Sequence, residues 1–168
     1  MHACYFIFQV SSHGQFSIQE KYGDLFQSTC SLAHCVSQDL KMSLGIAKTF
    51  RANFGRINQL EKQCKKVGQV AILKVDGRFI YNLITKEKYN GKPTYETLKQ
   101  SLIKMKEHMV SKGVKEVSMP KIGCGLDLLK WELVKPIIED VFQDSKIKIT
   151  VFYMSKEEAR ELEDKVVL

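Results

Sequence analysis

Between Phe16 and Met154 the apolar residues switch repeatedly between a two-residue and a 3.6-residue period, and no Pro-, Gly- or Ser-rich linker interrupts the series. Such a chain has one economical arrangement, a layered α/β sheet whose strands are covered on both faces by the intervening helices. Phe16 to Tyr22 alternates apolar and polar residues like a half-buried strand, and Ser31 to Val36 is a short apolar run closed by Ser37, Gln38 and Asp39. Gly45 to Phe54 and Ile57 to Lys66 carry helical spacing, with Gly55 as a stop between them. Val70 to Lys74, Asp76-Gly77 and Arg78 to Thr85 spell an antiparallel hairpin, because Asp-Gly readily supplies the left-handed residues of a tight turn. The hairpin makes the sheet mixed.

Thr94 then caps a helix in which Tyr95, Leu98, Leu102, Met105 and Met109 recur at intervals of three and four until Gly113. Lys115 to Met119 reads as a strand, Lys121 to Asp127 as a Gly-rich loop and Trp131 to Phe142 as a helix that Pro136 kinks or delays. Ile147 to Met154 closes the series as a strand. The chain of 168 residues is thus one domain over 16–154, with an N-terminal extension at 1–15 and a charged C-terminal tail at 155–168. No apolar run approaches the ~20 residues of a membrane span. Tyr5 to Val10 lacks a basic flank and is too short for the apolar core of a signal peptide, so no membrane partner is expected.

The 26 Lys and Arg against 19 Asp and Glu give a formal net charge of +7. The tail after Met154 holds 3 bases and 5 acids, so the rest of the chain carries +9. A basic body attracts polyanions: nucleic acid, anionic membrane, or phosphate-bearing molecules and modified proteins. Charge alone does not choose among them. Seven of the bases fall between Lys41 and Lys66 against the single acid Glu61, which is by default a solvated helical face and otherwise a nucleic-acid contact. The five cysteines, Cys4, Cys30, Cys35, Cys64 and Cys124, are odd in number and form no C-x-x-C pair. They indicate neither a disulfide framework nor a zinc site. His2, His13, His34 and His108 are scattered, and His34 within an apolar run reads as a core histidine.

In sheets of this kind ligands bind at the carboxyl ends of the strands. Two junctions there carry unusual chemistry, Ser37 to Ala47 and Pro120 to Asp127. In Lys121-Ile122-Gly123-Cys124-Gly125-Leu126-Asp127 the glycines let the main chain approach a ligand and aim N–H groups at it, as a phosphate requires. The spacing is that of neither a P-loop nor a dinucleotide-binding Rossmann turn, and a plain strand-to-helix turn remains the alternative. Lys86, at the end of the hairpin's second strand, is by default a solvated charge. In a partly buried pocket beside a cation its neutral amine becomes a nucleophile toward a sugar or carbonyl carbon, with Asp127 as proton acceptor. Cys35 and Cys124 read as lining thiols, since no His or Asn partner is evident.

In order along the chain stand Gly23-Asp24-Leu25-Phe26, Ser31-Leu32-Ala33-His34-Cys35-Val36-Ser37, Gly45-Ile46-Ala47, Leu83-Ile84-Thr85-Lys86, Lys92-Pro93-Thr94-Tyr95 and Ser118 to Asp127. Together they closely resemble the macrodomain family, in the branch of terminal ADP-ribose protein glycohydrolases and O-acetyl-ADP-ribose deacetylases. The resemblance implies a three-layer α/β/α fold around a mixed six-stranded sheet, with ADP-ribose in a cleft at the strand ends. It implies that Asp24 holds the adenine amino group, that Leu25 lines the adenine end and that Ser37, with Gly45 and Ile46 of the first ligand loop, lies toward the distal ribose. The resemblance further implies that Lys121, Ile122, Gly123, Cys124, Gly125 and Leu126 form the pyrophosphate loop and that Met154 closes the pocket. Lys86 matches the family's nucleophilic lysine and Asp127 its catalytic aspartate, in a reaction that needs no metal or other cofactor. The implied partners are ADP-ribose, ADP-ribosylated proteins and poly(ADP-ribose), met by a monomer in the nucleus or also the cytoplasm.

One departure bears on activity. Where the family's loop reads Met-Gly-Ala-Gly-Ile-Ala, this chain has Met42-Ser43-Leu44-Gly45-Ile46-Ala47. If the replaced glycine needs a positive φ, Ser43 is strained and Leu44 crowds the substrate. A hydrolase, a non-turning ADP-ribose reader and a polyanion binder working through the basic helices are the functions to be separated. Pro136, the N-terminal extension and the tail beyond Met154, where the family usually ends, are further departures.

Overall fold

The computed structural model describes residues 15–167, so all of the N-terminal extension except Gln15 lies outside the described residues. β1 (Ser17–Tyr22), a single 3-10 turn (Leu25–Gln27) and β2 (Ser31–Ser37) lead to α1 (Gly45–Phe54) and α2 (Ile57–Glu61). The hairpin of β3 (Val70–Val75) and β4 (Arg78–Lys86) follows, then α3 (Tyr95–Ser111), β5 (Glu116–Pro120), α4 (Trp131–Phe142), β6 (Lys148–Tyr153) and α5 (Lys156–Asp164). The strands form one six-stranded sheet in the order β1-β6-β5-β2-β4-β3. Every neighbouring pair is parallel except β3 with β4. The expected α/β fold with a mixed six-stranded sheet is therefore the one observed.

Local chemistry accounts for the element ends. Asp76 and Gly77 take φ of 49° and 79°, which turns the hairpin. Thr94 Oγ1 accepts from Thr97 N at 3.0 Å while Thr94 N donates to Thr97 Oγ1 at 3.1 Å, a reciprocal cap that starts α3. Helix α2 is shorter than the spacing predicts, ending at Glu61 instead of Lys66. Gln63 is needed elsewhere: its side chain donates to Ile72 O at 2.8 Å and accepts from Ile72 N at 2.9 Å, imitating a further strand along the open edge of β3. Helix α4 starts at Trp131 and runs through Pro136, so the proline does not delay it. The charged tail at 155–168 supplies α5, capped reciprocally by Ser155 and Glu158.

The sheet separates two cores. On one face Leu98, Leu102, Met105 and Met109 of α3 pack with Val134, Ile138 and Phe142 of α4. On the other, Phe50 of α1 and Leu60 of α2 pack with Leu25, Leu32 and Ile80. This is the three-layer arrangement. Neighbouring strands β2 and β5 send their helices, α1 and α4, to opposite faces, and that reversal opens a crevice beyond their carboxyl ends.

Candidate active site

A cavity of about 790 Å³ occupies this crevice. Its walls are the end of β2 with the loop into α1, the end of β4 with the loop to Lys92, and the Pro120–Leu128 loop. At its base Lys86 Nζ lies 2.6 Å from Asp127 Oδ1, with each side chain only 13% exposed. A register shift at Val36/Ser37 pairs Ser37 with Lys86 across the sheet and so brings both strand ends to the same height. Ser37 is buried, and its hydroxyl donates to Asp39 Oδ1 at 2.5 Å.

The Gly-rich loop is shaped from within. Gly123 has φ of 70°, and a Cβ there would meet Leu129 Cδ1 at 2.7 Å. Only glycine fits. Gly125 faces open space, with nothing within 4 Å of a Cβ. Among the described residues the N–H groups of Gly125 and Leu126 have no main-chain acceptor, so they are available to an anion. Lys121 spends its charge outside the cavity floor, 3.5 Å from Glu20 and over the ring of Tyr153 at 5.0 Å. Opposite, α1 begins at Gly45 with no side-chain cap and no acid in its first turn, leaving its N-terminal N–H groups and dipole open as well.

The thiols are not nucleophiles here. Burial, reinforced by the charge of Asp127, pushes Cys35 up to about 12, and burial pushes Cys124 up to about 11, so both stay protonated near neutrality. Cys124 Sγ donates to Ile122 O at 3.3 Å. His34 is a core residue, stacked on Phe50 with ring centroids 3.7 Å apart and bonded through Nε2 to Asn82 Oδ1 at 2.7 Å. Among the described residues no group of three or more His, Cys, Asp or Glu is placed to hold a metal ion. No helix there is long and apolar enough to cross a membrane.

A lysine and a carboxylate paired in a half-closed crevice, facing two sets of free N–H groups, can attack one end of a substrate while holding a phosphate at the other. A model of the Macro domain matches residues 33–138. The chain belongs to the Macro domain family. It is 54% identical over 132 residues to ADP-ribose glycohydrolase OARD1 of Homo sapiens, a match covering 77% of this chain and 87% of that protein. The protein of the same name from Bos taurus matches at 54% over the same shares. The fold superposes on the macrodomain of Thermus aquaticus DarG with a TM-score of 0.75 at 20% identity, over 82% of this chain and 99% of that one. It superposes on Thermosipho africanus DarTG, solved in complex with ADP-ribose, with a TM-score of 0.72 at 18% identity, over 84% of this chain and 42% of that one.

Of the residues marked in the sequence, this macrodomain brings Ser37, Gly45, Ile46, Lys86, Lys121, Ile122, Gly123, Cys124, Gly125, Leu126 and Asp127 to the cavity wall. Asp24, Leu25 and Met154 do not line it. Leu25 is 3% exposed within the α1 core, and Asp24 Oδ1 accepts from Phe26 N at 2.9 Å, capping the 3-10 turn. Ser43 is not strained: the left-handed residues of its loop are Leu40, Met42 and Gly45. Leu44 takes an extended φ of −136° and stands 61% exposed on the cavity wall.

Sequence reasoning missed the residues that tie the walls together. Asp39 accepts from Ser37 Oγ, Lys41 N and Tyr89 N, joining the loops after β2 and β4. Partial burial raises its pKa, and these three bonds with the charge of Lys41 bring it below the ordinary carboxylate value. Lys92 Nζ donates to Leu126 O at 2.9 Å. Its place in Lys92-Pro93-Thr94-Tyr95 was the available signal. Lys156 and Glu163 of α5 also line the cavity, and nothing in the local sequence points to that.

Proposed function

We propose that this macrodomain is an ADP-ribosyl hydrolase that removes terminal ADP-ribose from acidic side chains of modified proteins and deacylates O-acyl-ADP-ribose. The observation that carries the reading is the Lys86–Asp127 contact at 2.6 Å, both side chains 13% exposed, at the base of the cleft. The relatives named ADP-ribose glycohydrolase at 54% identity support it, as does the ADP-ribose held by the DarTG structure of the same fold.

A glycosyl ester already has a good leaving group, so the site needs a nucleophile, a proton acceptor and a firm hold on the diphosphate more than a strong acid. Asp127 takes a proton from Lys86 and frees the amine. The amine nitrogen bonds to C1 of the distal ribose as the C1–O bond breaks, and the glutamate leaves as its carboxylate. Once the proton on Asp127 has passed to solvent, Asp127 activates a water that replaces Lys86 at C1, releasing ADP-ribose and the lysine. The N–H groups of Gly125 and Leu126 and the start of α1 hold the diphosphate through this exchange, without metal. The +9 body draws poly(ADP-ribosyl)ated targets toward the cleft.

The test is release of ADP-ribose from a glutamate-ADP-ribosylated protein. Wild type is expected to turn over, Lys86→Ala to fall by at least about 100-fold, and Asp127→Ala to accumulate an ADP-ribose adduct on Lys86 seen by denaturing mass analysis. Equal background from wild type and Lys86→Ala overturns the hydrolase. ADP-ribose binding without turnover selects instead a reader, the reading that Leu44 on the cavity wall favours.

A further inference from the structure

Helix α5 lies against the cavity and contributes Lys156 and Glu163 to its lining. It starts at Lys156, directly after the Met154-Ser155 pair. Its Glu158 carboxylate accepts from the Tyr22 hydroxyl at the end of β1, two residues before Asp24. Near its other end the Glu163 carbonyl accepts from Lys48 Nζ of α1 at 3.2 Å. The helix therefore bridges β1 to α1 over the open strand ends. Lys156 and Glu163, two turns apart on one face, line the cavity where Asp24, Leu25 and Met154 do not.

The tail that carries the helix is acidic overall, and its cavity face presents the Glu163 carboxylate with Lys156 two turns away. Residues 155–168 hold 5 acids against 3 bases on an otherwise basic chain. A Glu163 carboxylate oxygen lies 4.0 Å from where a Cβ on Gly45 would stand, at the N-terminus of a helix that has no acid of its own in its first turn. That position suits a negative charge. The hold is also shallow: α5 has no fully buried residue, and only Ala159, Leu162, Glu163 and, just beyond it, Val166 are half-buried. A helix of 9 residues so attached is cheaply released.

Resting on the ADP-ribose reading above, we propose that α5 is an acidic cover acting in cis: docked, it occupies the nucleotide end of the cleft with Glu163 standing in for a ligand phosphate, and ADP-ribose binds by displacing it. The cost of displacement then appears as lost affinity, since only the undocked fraction is competent to bind.

The experiment is calorimetric titration of full-length wild type, Leu162→Glu and Glu163→Gln with ADP-ribose, with amide exchange across α5 measured before and after addition. Leu162→Glu unseats the half-buried face and is expected to bind about 5-fold to 10-fold more tightly. Glu163→Gln, which leaves packing intact, is expected to gain about 3-fold, and α5 amides of wild type to exchange faster with ligand. Affinities equal to or weaker than wild type in both variants, or α5 amides more protected with ligand, overturn the cover while leaving the ADP-ribose reading in place. Binding by none of the three proteins overturns both.

Discussion

His34 shows how much one side chain can report. Its ring is fully buried between Phe50 and Asn82, and burial lowers its pKa to about 4, against the opposing bond from Asn82. The folded state keeps it neutral while the unfolded chain protonates it at its ordinary value near 6.5. Its contribution is fully present above that value and is lost as pH falls toward about 4, because the unfolded state binds the extra proton. Between pH 7 and 5 wild type should lose roughly 2 kcal/mol more stability than His34→Gln, by urea unfolding at the two values. Equal losses would show that the ring is solvated.

The two loop glycines separate folding from binding. Gly123→Ala places a methyl at 2.7 Å from Leu129 and a side chain at φ of 70°, and should lower stability by about 1–3 kcal/mol. Gly125→Ala meets nothing within 4 Å, so its melting temperature should match wild type while its ADP-ribose affinity falls. Equal stability losses in the pair would show that Gly125 is also needed for the fold, and an unchanged ADP-ribose affinity in Gly125→Ala that its open face is not where the ligand lies. Legibility differs here too. Gly123 could be marked from its place in a Gly-rich strand-to-helix loop, and Lys86 and Asp127 from their match to the family pattern, a lysine at a strand end being by itself only a solvated charge. Asp39 could not, since its role comes from three donors on two loops that meet only after folding.

At the scale of elements, boundaries were readable wherever a local cap writes them. Gly55 stops α1, Asp76-Gly77 turns the hairpin and Thr94 opens α3. Helix α2 was overread because helical spacing continues past Glu61 while Gln63 is claimed by the neighbouring strand. That claim is testable. Gln63→Ala leaves the Ile72 N–H and carbonyl of the β3 edge unpaired, and should cost about 1 kcal/mol in urea unfolding and raise light scattering through edge-to-edge association. Scattering unchanged from wild type would leave the edge protected by Arg56 on Lys74 O alone. Helix α5 was read only as a charged tail: Ser155 to Glu158 has the spacing of a capping box, but the docking face has no fully buried residue and so writes only a weak apolar period to follow it.

For the whole molecule, the layered α/β architecture and the place of the cleft followed from the alternation of periods and from the rule that ligands sit at the carboxyl ends of the strands. What the alternation could not give is which strands become neighbours, a matter of long-range packing: β2 pairs with both β4 and β5. The positive charge belongs to this scale as well. If it steers modified proteins, association with a poly(ADP-ribosyl)ated target should slow markedly when salt is raised well above physiological strength, while mono-ADP-ribose binding changes little. Identical salt slopes for both would confine the electrostatics to the pocket.

The division into two cores has an evolutionary consequence. One wall of the cleft, the start of α1, is built on the Phe50 core, and the opposite wall, the loop after β5, on the core of α3 and α4. Mutations that repack one core leave the other wall standing. A lineage can therefore rewrite one side of its binding site while inheriting the other unchanged, the Ser43-Leu44 side separately from the Lys121-to-Asp127 loop.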